Sequence, residues 1–79
     1  MALPKSYQAW EGRVSAYLKT KLKENEITYA ELAKRLKKFG FVETEASITN
    51  KLKRGTFTAT FLLACMAAIG VESLSLQEV

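Results

Sequence analysis

The sequence predicts a small all-α protein, a four- to five-helix bundle, on three observations. Apolar residues recur at three- and four-residue steps, threonines at 28, 44 and 58 stand where helices begin, and glycines at 40, 55 and 70 stand where they end. Only the C-terminal tail departs from this pattern, with an alternation that suits a short β-strand.

The first helix is expected between Pro4 and Lys23, where Tyr7, Trp10, Val14, Leu18 and Leu22 form one apolar face. Pro4 suits its first turn, and Gly12 inside the pattern weakens it by about 1 kcal/mol relative to alanine. In Ile27-Thr28-Tyr29-Ala30-Glu31-Leu32, Thr28 is positioned to cap the first amides and Glu31 to reach back to the Thr28 amide, a capping box. Ile27 and Leu32 form the accompanying hydrophobic staple. The helix so opened runs from Tyr29 to about Lys38, with Leu32, Ala33 and Leu36 inward, Phe39 closing the face and Gly40 ending it. A third helix over Glu45 to Lys53, capped by Thr44, turns Ile48 and Leu52 inward and stops at Gly55. A fourth, capped by Thr58, carries Phe61, Leu62, Leu63, Met66 and Ile69 to Gly70 and is apolar nearly all round, so it either fills the centre or meets a partner. Leu74 and Leu76 alternate in the tail. A strand there would pair with Gly40-Phe41-Val42 or with its copy in a dimer, and without either the tail frays.

No repeat or Pro/Gly/Ser-rich linker divides residues 1–79, so they are read as one domain. Apolar residues make up 48% of the chain, enough to close a core without cross-links. With one Cys and no His, a disulfide framework, a zinc finger and a Cys/His nucleophile pair are excluded within the chain, and Cys65 reads as a buried core thiol. No glycine-rich phosphate loop or metal-ligand cluster is present, so neither an enzyme nor a cofactor is expected, and no ligand pocket is evident. Met1-Ala2-Leu3-Pro4 lacks the pattern of a signal peptide, which suggests cytoplasmic residence. The charge-free run from Gly55 to Val71, roughly 17 residues, is better read as a buried core helix than as a membrane span.

Lys and Arg number 12 against 8 Asp and Glu, a net charge of +4, and every basic residue lies at or before Arg54. Lys34, Arg35, Lys37 and Lys38 on the second helix join Lys19, Lys21 and Lys23 from the end of the first and Lys51, Lys53 and Arg54 from the third. Together they form a candidate phosphate-binding surface. Turning Ile48 and Leu52 inward leaves Ser47, Asn50 and Arg54 outward. Asn pairs with adenine, Arg or Lys with guanine, and Ser with several base edges, so this row has the chemistry of a major-groove reader. The alternative is an ordinary solvated helix face.

Three segments in order carry a resemblance: Ile27-Thr28-Tyr29-Ala30-Glu31-Leu32-Ala33, a helix ending Leu52-Lys53-Arg54-Gly55, and Phe61-Leu62-Leu63 through Ala68-Ile69-Gly70-Val71. Together they resemble the lambda-repressor-like, Cro/Xre-type helix-turn-helix domains of bacterial and phage regulators. The resemblance implies motif helices at about 28–38 and 45–53, the second lying in the major groove of double-stranded DNA. It implies base contacts from Ser47, Asn50 and Lys51, to which the charge reading adds Arg54. Phosphate contacts are expected from Thr28 and Tyr29, with Lys34, Lys37, Lys38 and Lys53. Tyr29 stands where the family usually has Gln. The stretch from Ala33 to Gly55 is about six residues longer than the family's tight turn, the excess falling in Lys37 to Thr44. A homodimer through Phe61, Leu62, Met66, Leu74 and Leu76 would double the base contacts of one helix. The competing function is a protein-interaction module whose basic face meets an acidic partner. Single-stranded RNA would need exposed aromatics, which Tyr7, Trp10 and Tyr17 supply only if the first helix is unpacked.

Overall fold

Ser6 opens the first helix, its hydroxyl accepting from the Ala9 amide at 3.1 Å, and α1 spans Tyr7–Glu24. Pro4 therefore precedes the cap and does not occupy the first turn. The computed structural model describes residues 2–79. At the far end of α1 the Asn25 side chain donates to the Lys21 carbonyl at 2.8 Å, and Glu26 reverses the chain at φ 55°. A side chain in this left-handed region costs about 1–2 kcal/mol, partly offset on substitution by the larger unfolded-state entropy of glycine. Glu26→Gly is thus expected to raise stability by up to about 1 kcal/mol, read from a urea midpoint; a lower midpoint would mean that the turn is not strained.

Thr28 accepts from the Glu31 amide at 3.1 Å and starts α2, Tyr29–Leu36. The reciprocal half of the expected capping box does not form, because the Glu31 carboxylate accepts from Arg35 Nε at 3.0 Å instead. Arg35 also donates to the Ala68 carbonyl at 3.1 Å, fastening α2 to the last helix. After Leu36 the chain tightens into a 3-10 turn, Lys37–Phe39, that ends at Gly40 with φ 85°. Helix α3 spans Glu45–Arg54 between Thr44 and Gly55, and α4 spans Ala59–Ile69 between Thr58 and Gly70. The all-α expectation therefore holds, with four α-helices and no strand among the described residues.

Leu18, Leu32, Leu36, Ile48, Leu52 and Cys65 are fully buried at the centre, with α1 and α2 each lying against both α3 and α4. The staple residues Ile27 and Leu32 belong to this core. Tyr7 is 76% exposed and Trp10 is exposed as well, contrary to the apolar face read for the first helix. With 18 residues α1 outruns partners of 8 to 11 residues, so its first turn reaches past them, with Gly55 approaching this end. Phe39 is 50% exposed and does not close the face of α2; the change to 3-10 winding alters the angular step per residue and carries it outward. Phe41 takes the inner place, edge-on to Phe61 at 6.3 Å.

The tail forms no strand. The Phe41 amide already donates to the Leu36 carbonyl at 3.1 Å, so Gly40-Phe41-Val42 is committed to the end of α2. Instead Leu76–Glu78 forms a 3-10 turn laid on α1, where Lys21 pairs with Glu78 at 2.6 Å and Arg13 donates to the Val79 backbone oxygen at 2.5 Å. Among the described residues no helix is long and apolar enough to cross a membrane.

Candidate nucleic-acid interface

Helix α3 is anchored by Ile48 and Leu52, both buried, and the 100° step of an α-helix places Ala46, Asn50 and Lys53 on the opposite side. These three and Thr49 are exposed. The Asn50 side chain makes no hydrogen bond to the described residues, while the Thr49 hydroxyl donates to the Glu45 carbonyl at 2.9 Å and leaves its methyl outward. The outward row is thus not quite the one read from the sequence. Ser47 is half-buried, accepts from the Thr44 amide at 2.8 Å and donates to Glu43 Oε1 at 2.6 Å. Lys51 pairs with Glu43 Oε2, its ammonium 4.6 Å from the centre of the Phe61 ring. Both residues are held within the protein and withdrawn from the base-reading positions expected of them. Ala46 and Thr49 are exposed in their stead; neither carries the charge or amide that marks a candidate in the sequence, although a methyl group can contact thymine.

The Glu43 side chain is only 6% exposed. Burial pushes its carboxyl up, but hydrogen bonds from Lys51 and Ser47 and the Lys51 charge outweigh burial and hold it below the ordinary carboxylate value. Glu43, just before the cap, and Ser47 and Lys51 on α3 follow at four-residue steps, so this spacing was a legible signal. Beneath them lies Cys65, the expected core thiol, fully buried and pushed up to about 12 by desolvation, with Glu43 raising it further and Lys51 opposing. Alkylation of Cys65 at pH 8 is expected to run at least about a thousandfold slower than in denaturant, because both burial and the scarcity of thiolate oppose it. A native rate close to the denatured one would contradict the burial.

The expected phosphate contacts separate into different places. The Thr28 hydroxyl is occupied as a cap, and Tyr29 is half-buried against the core. Lys34 and Lys37 are exposed. Lys38 lies between α2 and α4, lining a groove with Glu31, Arg35, Phe39, Ala67 and Ala68, and so is drawn toward α4. Lys53 and Arg54 instead line a groove against α1 together with Lys19. Arg54 therefore stands on the α1 side of the outward row of α3.

The proposed dimer contacts change as well. Phe61 and Met66 are buried in their own core, Phe61 between Phe41 and Phe57, and neither is on the surface to meet a second copy. Leu62 and Leu74 are half-buried and Leu76 is exposed, while the large apolar side chain that α4 exposes is Leu63, at 64%. In a helix apolar all round, hydrophobicity cannot say which face turns inward. No group of His, Cys, Asp or Glu among the described residues is arranged to hold a metal ion.

Residues 10–74 match a family described as a domain of unknown function, DUF6471. No curated protein and no solved structure matches the chain.

Proposed function

The chain belongs to the DUF6471 family, and we propose that this member is a sequence-specific regulator that binds double-stranded DNA as a helix-turn-helix of the lambda-repressor-like kind. The observation that carries the reading is the outward face of α3. Ala46, Thr49 and Asn50 offer methyl groups and an amide to base edges, on a helix clamped by Ile48, Leu52 and the Glu43 contacts. The charge distribution supports it: Lys34, Lys37, Lys53 and Arg54 are exposed and enter no ion pair among the described residues, leaving them to displace counterions from phosphates. Two copies would present two α3 helices to successive half-sites, with Leu62, Leu63, Leu74 and Leu76 as the apolar surface for contact between them.

The test is an NMR titration of labelled protein with a short generic duplex at low and moderate salt, with sedimentation to read the stoichiometry. Amides of Ala46, Thr49 and Asn50 are expected to shift and the shifts to fade as salt rises. Against a selected operator, Asn50→Ala is expected to weaken binding by about tenfold, in line with the loss of one base contact. The absence of salt-dependent shifts on α3 would sink DNA reading and leave the interaction module with an acidic protein partner.

A further inference from the structure

A groove of about 440 Å³ runs between α1 and the end of α3, lined by Gln8, Glu11, Gly12, Ser15, Ala16 and Lys19 on one side and Leu52, Lys53 and Arg54 on the other. Three independent features converge on it. Ser15 is 6% exposed, and its hydroxyl has no hydrogen-bond partner, a state that disfavours the fold unless a ligand supplies one. Gly12 sits inside a helix, where glycine is unfavourable relative to alanine, yet a Cβ there would meet nothing within 4 Å. Packing therefore does not require the glycine; what it does is keep one wall of the groove at backbone level. Finally, Lys19, Lys53 and Arg54 are exposed and form no ion pair among the described residues, whereas Lys21, Arg35 and Lys51 do.

We propose that this groove binds a small organic phosphate monoester that also carries hydroxyl groups, of the size of a sugar phosphate or a nucleoside monophosphate. Three cations against the single carboxylate of Glu11 leave an excess positive charge suited to a phosphate dianion. The Arg54 guanidinium presents a planar fork to phosphate oxygens and the two lysines act as point charges. Glu11 accepts from ligand hydroxyls, the Gln8 amide both donates and accepts, and the Ser15 hydroxyl, with one torsion and three staggered wells, can exchange its unsatisfied position for one facing the ligand. The volume exceeds that of a bare phosphate and favours the ester.

The experiment is an NMR titration with glucose 6-phosphate and with adenosine 5′-monophosphate, set against glucose, adenosine, inorganic phosphate and a short DNA duplex. Saturating shifts of the Gly12, Ser15 and Arg54 amides are expected for at least one phosphorylated probe, at affinity at least tenfold above that for its dephosphorylated form or for inorganic phosphate. Gly12→Leu, which fills the groove with a good helix former, and Arg54→Gln are each expected to weaken binding at least tenfold while the spectrum stays dispersed. The proposal is overturned if neither ester saturates, if the dephosphorylated forms bind equally well, or if both substitutions leave affinity unchanged. It is equally overturned if these amides answer to the duplex alone, which would assign the three cations to the DNA backbone.

Discussion

Gly55→Ala is expected to destabilise the protein by about 2–5 kcal/mol, enough to consume much of the stability of a small domain. Two penalties add. Gly55 has φ 69°, in the left-handed region where a side chain costs about 1–2 kcal/mol. A Cβ at this position would also stand 2.5 Å from the Glu11 carbonyl oxygen and 2.8 Å from its carbon. Those are backbone atoms of α1 and cannot rotate away, so the two helices must part, at an overpacking cost of about 1–3 kcal/mol. Gly40 and Gly70 share the positive φ but have no neighbour within 4 Å of an added Cβ. Their alanine variants should lose only the conformational part. Urea denaturation of the three variants side by side separates the terms, and equal losses at all three would refute the close approach of α1 and α3.

Glu43→Gln is expected to cost about 1.5–3 kcal/mol near neutral pH, the range for hydrogen bonds to charged groups. The amide keeps one acceptor but turns a donor toward the Lys51 ammonium or the Ser47 hydroxyl, while the surroundings remain closed to water. The direction of the Glu43 shift fixes the pH dependence. Its carboxyl is held below the ordinary value in the folded protein, so its contribution is fully present above the unfolded carboxylate value and is lost as pH falls through the lower folded one. The stability gap between wild type and variant should therefore narrow on acidification from about pH 7 to about pH 3. A gap independent of pH would mean that the ionised carboxylate is not what holds α3. Because Glu43 lies in the connection before α3 and holds Ser47 and Lys51 on two of its turns, the same substitution should also loosen the helix proposed to read DNA.

The local signals were those that a helix carries within itself. Thr28, Thr44 and Thr58 satisfy amides three residues onward, and Gly40, Gly55 and Gly70 take the left-handed stop. Such interactions lie within one turn, so spacing alone reveals them, and the inward pairs Leu32 with Leu36 and Ile48 with Leu52 follow from the same periodicity. The outward position of Asn50 was legible for that reason, opposite a known inward pair.

What required the assembled bundle was every choice between residues equal in local character. Phe39 and Phe41 are both aromatic and lie two positions apart; only a 3-10 turn and the proximity of Phe61 send one out and one in. Phe61 and Leu63 are equally apolar, and the core of α1, α2 and α3 decides which one it takes. Ser47 and Lys51 have the chemistry of base readers until Glu43, its side chain nearly buried, claims both. The tail lies on α1 because Arg13 and Lys21, far away in sequence, offer partners that the end of α2 had already denied it. Helix periods and caps are short-range and repeat along the chain, whereas burial and charge pairing depend on which surfaces meet, and that is settled only when the helices pack.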